Sequence, residues 1–198
     1  MRTSWARTET ALALSAAGAV AVTGGYLGLI TAAVPVDVNI GRRRIRLGPR
    51  GVDIHADRDT VFDLLAGPYL GRQTRAMAEK IHILAADSDM VLAAHRTPVR
   101  GGRLVATTVE TVRFTRPERI EFRLVRGPVP EVSEQFLLTE APPTAAGPVT
   151  RLEYHGQLGT DLWAVGAAWG RLIARHWEPV VADTFTAVKT EAEHRAHR

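Results

Sequence analysis

The apolar positions of this chain repeat with two periods, and the change from one to the other is sharp. In "VDIHADRDTVFDLLAGP", residues 52–68, Val52, Ile54 and Ala56 alternate with polar neighbours, as in a strand. After Asp57 the apolar positions are Val61, Leu64 and Leu65, the spacing of a short helix that Gly67 and Pro68 close. Asp57 suits the N-cap and Asp59 the first turn. The strand reads back to about Arg44, and a second short helix is predicted over Arg72 to Glu79.

Six further runs follow, each ended by a turn signal. They are "KIHILAA", "MVLAAHRTPV", "RLVATTVETVRFT", "RIEFRLVR", "EVSEQFLLTE" and "VTRLEYHGQL". Short connections make them antiparallel neighbours, seven strands with the first. Asp161 to His194 reads as one long helix, with Asp161 as its cap and a kink expected at Pro179. Its large apolar residues, Leu162, Val165, Trp169, Leu172, Ile173, His176, Val180 and Val188, predict the buried stripe, with Trp169 packed on the sheet. A second stripe of small residues, Gly166, Gly170 and Ala174, suits close helix–sheet packing or space for a ligand.

The order strand, two short helices, six strands, long helix is α+β. One antiparallel sheet with an apolar face needs a cover, and only the last helix is long enough. With its opening "VDIHADRDTVFDLLAGP" and closing "RLEYHGQLGTDLW", the stretch from about Arg43 to Glu193 resembles the START-like superfamily of polyketide cyclases/dehydrases and lipid-transport domains, also called SRPBCC. The resemblance implies a helix-grip fold: a curved seven-stranded antiparallel sheet wrapped around the C-terminal helix. It also implies a hydrophobic cavity between them for a lipid, sterol or polyketide-like molecule.

Between Glu9 and Asp37 lie 27 residues without a charge. That is long enough for a membrane span of about 20 residues. Up to Arg50 the chain carries seven Arg against Glu9 and Asp37, a net of +5, while the rest has 18 basic and 19 acidic residues. The basic excess follows the uncharged run, which predicts a single-pass anchor with the main domain in the cytoplasm. A cleaved signal peptide ending near Thr31 and Ala33, giving a secreted domain, is the alternative; a buried soluble helix is a third. The organisation read is a flank over 1–10, an anchor over 11–36, a basic linker over 37–43, the START-like domain over 44–194 and a tail over 195–198. A nearly neutral domain speaks against a nucleic-acid partner.

Alternation puts Ile120, Phe122 and Leu124 on one face, with Val132, Phe136, Leu138, Leu152, Tyr154 and Leu158 inward on their strands. Glu134 falls in the inward register, where a carboxylate needs a partner. Either a basic residue at the rim or a β-bulge relieves it, or it meets a ligand or works as an acid–base group. Glu110 has the same ambiguity, because Val105 and Val109 make its opposite face apolar too. Phe122, Glu134, Phe136, Leu152, Tyr154, Trp169 and Ile173 are the expected ligand contacts.

The seven His lack compact metal-ligand spacing, and His55, His82, His95, His155 and His176 sit on separate elements. There is no Cys, no phosphate-binding glycine loop and no nucleophile elbow, so no cofactor or catalytic residue is assigned. The readings carried forward are a binder or carrier of a hydrophobic molecule, a cyclase- or dehydratase-type enzyme using the same cavity, and a regulatory protein-interaction module.

Overall fold

The computed structural model describes residues 24–29, 31, 37–99, 104–145 and 147–198. Seven antiparallel strands form one sheet: β1 (Arg43–Ile54), β2 (Ile81–Ala86), β3 (Met90–Val99), β4 (Leu104–Thr115), β5 (Arg119–Arg126), β6 (Glu131–Thr144) and β7 (Gly147–Thr160). Their order is β1-β7-β6-β5-β4-β3-β2. Helices α1 (Arg58–Ala66) and α2 (Arg75–Ala78) lie between β1 and β2, and α3 (Trp163–Ala196) ends the chain. This is the predicted arrangement, with the second helix shorter than the sequence suggests. Asp57 caps α1 as expected, accepting from the Thr60 amide at 2.8 Å.

The inward face of the sheet is the alternation read from sequence. Ile120, Val132, Phe136, Leu138, Leu152, Tyr154 and Leu158 are buried. They meet Val61, Phe62 and Leu65 from α1, and Ile173, Val181, Phe185 and Val188 from α3.

The face of α3 that does this is the predicted one only in part: Ile173, Val188 and the small-residue stripe Gly166, Gly170 and Ala174 are buried, but most of the large apolar positions are not. Leu162, Val165, Leu172, His176 and Val180 are exposed. The buried stripe is Gly166, Gly170, Ile173, Ala174, Val181, Phe185, Val188 and Ala192. Close approach decides the rotation: a Cβ on Gly170 would sit 2.8 Å from the Ile45 side chain. Glycines let the helix lie on β1 and β7 at a distance that larger side chains would forbid. The helix runs through Pro179 without interruption. At Gly166 a Cβ would fall 1.6 Å from the Asp161 carbonyl oxygen, which is backbone and cannot yield. Gly166→Ala is expected to cost roughly 3 kcal/mol, at the upper end of overpacking costs. Gly170→Ala, which meets only flexible side-chain ends, should cost less. Urea denaturation of the two variants checks the ranking.

Asp161 does not cap α3. The N-cap is Leu162, with no side-chain bond, and the Asp161 carboxylate turns back to the segment before β1. Leu162 and Trp163 both adopt left-handed backbone, φ 69° and 49°. Each such residue costs roughly 1–2 kcal/mol. The expected span over 11–36 lies outside the described residues except for 24–29 and 31; residues 24–29 are helical, and Tyr26 meets Trp169 edge-on. Among the described residues no helix is long and apolar enough to cross a membrane.

Candidate functional site

Three neutral-to-acidic side chains from three elements meet on the concave face. Glu134 stands on β6, opposite Phe122 on β5 and Gly156 on β7. Among the described residues neither a β-bulge at its position nor an ion pair with a basic side chain relieves it, contrary to one expectation. The Tyr154 hydroxyl donates to its Oε1, and so does the Trp177 indole N–H at 2.5 Å. Both bonds go to one oxygen, and Oε2 accepts none among the described residues. Gly156 makes the arrangement possible. A Cβ there would lie 2.6 Å from the Tyr154 hydroxyl, so only glycine lets the ring lean along β7 to reach Glu134.

Burial pushes the Glu134 carboxyl up to about 7, and the negative Glu110 nearby adds to the rise. The bonds from Tyr154 and Trp177, and the nearby His95, oppose it. Tyr154 is pushed upward by burial and by the Glu134 charge, so its hydroxyl stays a donor.

Beside this group runs a second one that the sequence does not announce. Glu110 on β4 is 4% exposed and faces inward. Its Oε2 lies 3.1 Å from His95 Nδ1, and His95 Nε2 lies 3.0 Å from the Tyr69 hydroxyl. In the tautomer with the proton on Nδ1, His95 donates to Glu110 and accepts from the Tyr69 hydroxyl at Nε2. Burial pushes the Tyr69 hydroxyl upward, and Glu110 and Glu134 push it further. Phe122 joins the two groups: its ring meets those of Tyr69 at 5.8 Å and Phe136 at 5.9 Å. Phe136 in turn meets Tyr154 and Phe185.

A depression of about 220 Å³ opens onto this wall between β1 and α3, lined by Leu47, Gly48, Pro49, Arg50, Tyr154, Trp177, Glu178 and Val181. It lies where β1 bulges between Leu47 and Arg50 and where Pro179 deprives α3 of one backbone donor. Its volume is below the roughly 300–1,000 Å³ of drug-sized sites. A larger guest therefore needs Trp177 or Tyr154 to swing aside. A second depression, about 310 Å³, is lined mainly by polar residues of β5, β6 and β7 such as Glu121, Arg123, Gln135 and Gln157, and Phe122, Glu134 and Gly156 also border it.

Of the expected contacts, Phe122, Glu134, Phe136 and Tyr154 come together. Leu152 and Ile173 are core residues nearby. Trp169 is only partly buried; its indole N–H donates to the Pro128 carbonyl at 2.8 Å, away from the carboxyls. Trp177, Tyr69, His95 and Glu110 complete the site. Trp177 carried a signal, since it repeats the four-residue spacing of Trp169 and Ile173. Among the described residues no group of three or more His, Asp or Glu side chains converges as a metal would require.

No protein-family model and no curated protein sequence matches the chain. Solved structures do. An aromatase/cyclase from Streptomyces sp. R1128 is 20% identical, with 79% of this chain and 94% of that chain covered and a TM-score of 0.52. A START superfamily protein from Mycobacterium smegmatis is 13% identical, covering 75% and 97%, at 0.50. A di-domain aromatase/cyclase from the steffimycin biosynthetic pathway is 14% identical at 0.55; the match covers 79% of this chain and about half, 53%, of that one. At these identities the likeness speaks for architecture, and the architecture of this chain is START-like.

Proposed function

We propose that the chain binds and carries a hydrophobic small molecule, a lipid, sterol or polyketide-like compound, at the cytoplasmic face of a membrane. The observation that carries this reading is the Glu134 carboxyl behind the β1–α3 opening. One of its oxygens is fixed by Tyr154 and Trp177, and the other is left to accept from a hydroxyl of the guest. The aromatic wall of Phe122, Phe136 and Phe185 supplies the apolar contact. The uncharged run after Glu9 and the arginines that follow it support the membrane location.

One feature favours a second reading, an enzyme of the cyclase or dehydratase kind. A carboxyl near 7 is half-protonated at neutral pH, and the Tyr69–His95–Glu110 chain beside it can pass or accept a proton. The similar aromatase/cyclases lend this reading its plausibility.

Native mass spectrometry of the detergent-extracted full chain tests both. The carrier reading expects a hydrophobic adduct that returns unchanged after release, and about tenfold weaker retention in Glu134→Gln, from loss of a charge-assisted bond. The enzyme reading expects the released molecule to differ from the one supplied, and His95→Ala to stop the change without abolishing the adduct. A bare protein mass, even after incubation with lipid extract, sinks both.

A further inference from the structure

We infer that the pole of the domain at the start of α3 is a lipid-facing surface, built to rest in the headgroup region of an anionic bilayer. Five apolar side chains crowd there. Val38 and Ile40 precede β1; Leu162, Trp163 and Val165 open α3. Backbone bonds join the two segments: the Leu162 amide donates to the Ile40 carbonyl at 2.8 Å, and that of Trp163 to the Gly41 carbonyl at 3.0 Å. The cluster is therefore continuous, yet it is largely solvent-facing. Ile40 is 52% exposed, Trp163 54% and Val165 74%. Single exposed apolar residues are ordinary, but contiguous ones mark a surface with an occupant.

The pole is rigid rather than frayed. Asp161 accepts from the Val38 and Asn39 amides and from Arg42, and Arg42 also pairs with Asp37 and Glu131. The indole of Trp163 lies against Gly41, where a Cβ would come within 2.4 Å of the ring. Leu162 and Trp163 hold left-handed backbone, an uncommon conformation for large side chains, and in it they face outward.

Three observations choose lipid over a protein partner. The chain reaches this pole at Asp37 directly from its 27-residue uncharged run, so that run and the pole meet at the same place. Arg43 and Arg46, on the adjoining edge strand β1, are exposed and have no ion-pair partner among the described residues, which suits anionic headgroups. And the cluster couples a tryptophan to aliphatic side chains, the mix favoured at a membrane interface. This surface is distinct from any transmembrane segment, and it does not depend on what the β1–α3 opening holds.

The chain has no Cys, so one label can be placed cleanly. Val165→Cys and Glu191→Cys, each in the full chain, are labelled with an environment-sensitive nitrobenzoxadiazole dye and mixed with vesicles of phosphatidylcholine and phosphatidylglycerol. The label at 165 should shift to the blue and brighten at least twofold; that at 191, toward the other end of α3, should not change. Reversing the charge of Arg43 and Arg46 to Glu should reduce the response at 165 severalfold, and neutral vesicles should do the same. If the protein floats with the vesicles while the label at 165 stays in water, the uncharged run alone holds the chain and the surface proposal falls. If the protein does not float at all, the surface and the membrane location both fall.

Discussion

At pH 8 the Glu134→Gln protein should melt higher than the unsubstituted one, and at pH 4.5 the two should melt together. The sign follows from a carboxyl raised in the folded state. Its ordinary value is 4.5 and its folded value about 7. Below 4.5 it is protonated in both states and contributes nothing. Between 4.5 and 7 the unfolded chain ionises while the folded one resists, so stability falls as pH rises. Above 7 the full penalty stands. Each pK unit is worth about 1.4 kcal/mol, and partial exposure reduces the sum, so the penalty is on the order of 2 kcal/mol.

Glutamine removes the charge and keeps an acceptor for Tyr154 and Trp177, so it escapes the penalty without losing either bond. For a domain of this size about 2 kcal/mol is roughly 4–8 °C in melting temperature. Burial sets most of the shift and Glu110 on β4 adds to it, while Tyr154 on β7, Trp177 on α3 and His95 on β3 oppose it. Thermal melts across pH 4.5–8 measure it. A lower melting point for Glu134→Gln at pH 8 would mean that Tyr154 and Trp177 stabilise the carboxylate by more than its burial costs.

That the carboxyl faces inward was legible because its strand alternates cleanly. Val132, Phe136 and Leu138 leave no doubt about the face, and the structure puts all three in the core. Glu110 was not legible in the same way. Both faces of β4 carry apolar residues, so alternation could not orient it, and its burial depends on pairing with Ala93 and Leu124 on the neighbouring strands. His95 and Tyr69 had no local signal at all. They meet across 26 residues only after β3 has paired with β4 and the chain after α1 has folded over them.

The small-residue stripe of α3 and Ile173 and Val188 were legible as packing positions, but the large residues of its first turns and middle misled for a different reason. Ranking positions by side-chain size favours Leu162, Val165 and Leu172, but the helix docks by its glycines. Attraction between helix and sheet depends on how closely the backbones approach, and Gly166 and Gly170 permit the closest approach. Leu162 and Val165, left outside, then gather at the pole with Trp163. Asp161 shows the same competition at one residue. A local capping rule assigns it to α3, and a stronger long-range demand takes it away.

That demand makes Asp161→Ala the most destabilising of the substitutions considered. The side chain is buried, and its Oδ2 accepts from the Val38 and Asn39 amides at 2.8 Å each. Its Oδ1 accepts from Arg42 Nε at 2.8 Å. Alanine would leave the Arg42 guanidinium without its buried counterion and both amides without an acceptor. Breaking a buried pair costs roughly 3–5 kcal/mol, a large share of a domain stability of about 5–15 kcal/mol. Asp161→Asn keeps the shape but turns an amide N–H₂ toward donors, so it should recover little of the loss. The pH dependence separates this from simple misfolding. The Arg42 guanidinium, followed by the Asn39 and Val38 amides, holds the Asp161 carboxyl at about 2. Its contribution is therefore complete above its ordinary value of 3.8 and disappears as pH falls from there through 2. Urea denaturation should find the gap between the unsubstituted protein and Asp161→Ala at its widest near pH 7 and narrower at pH 3. A gap that stays constant over that range would mean that Asp161 acts through packing, and that the Arg42 pair adds nothing of its own.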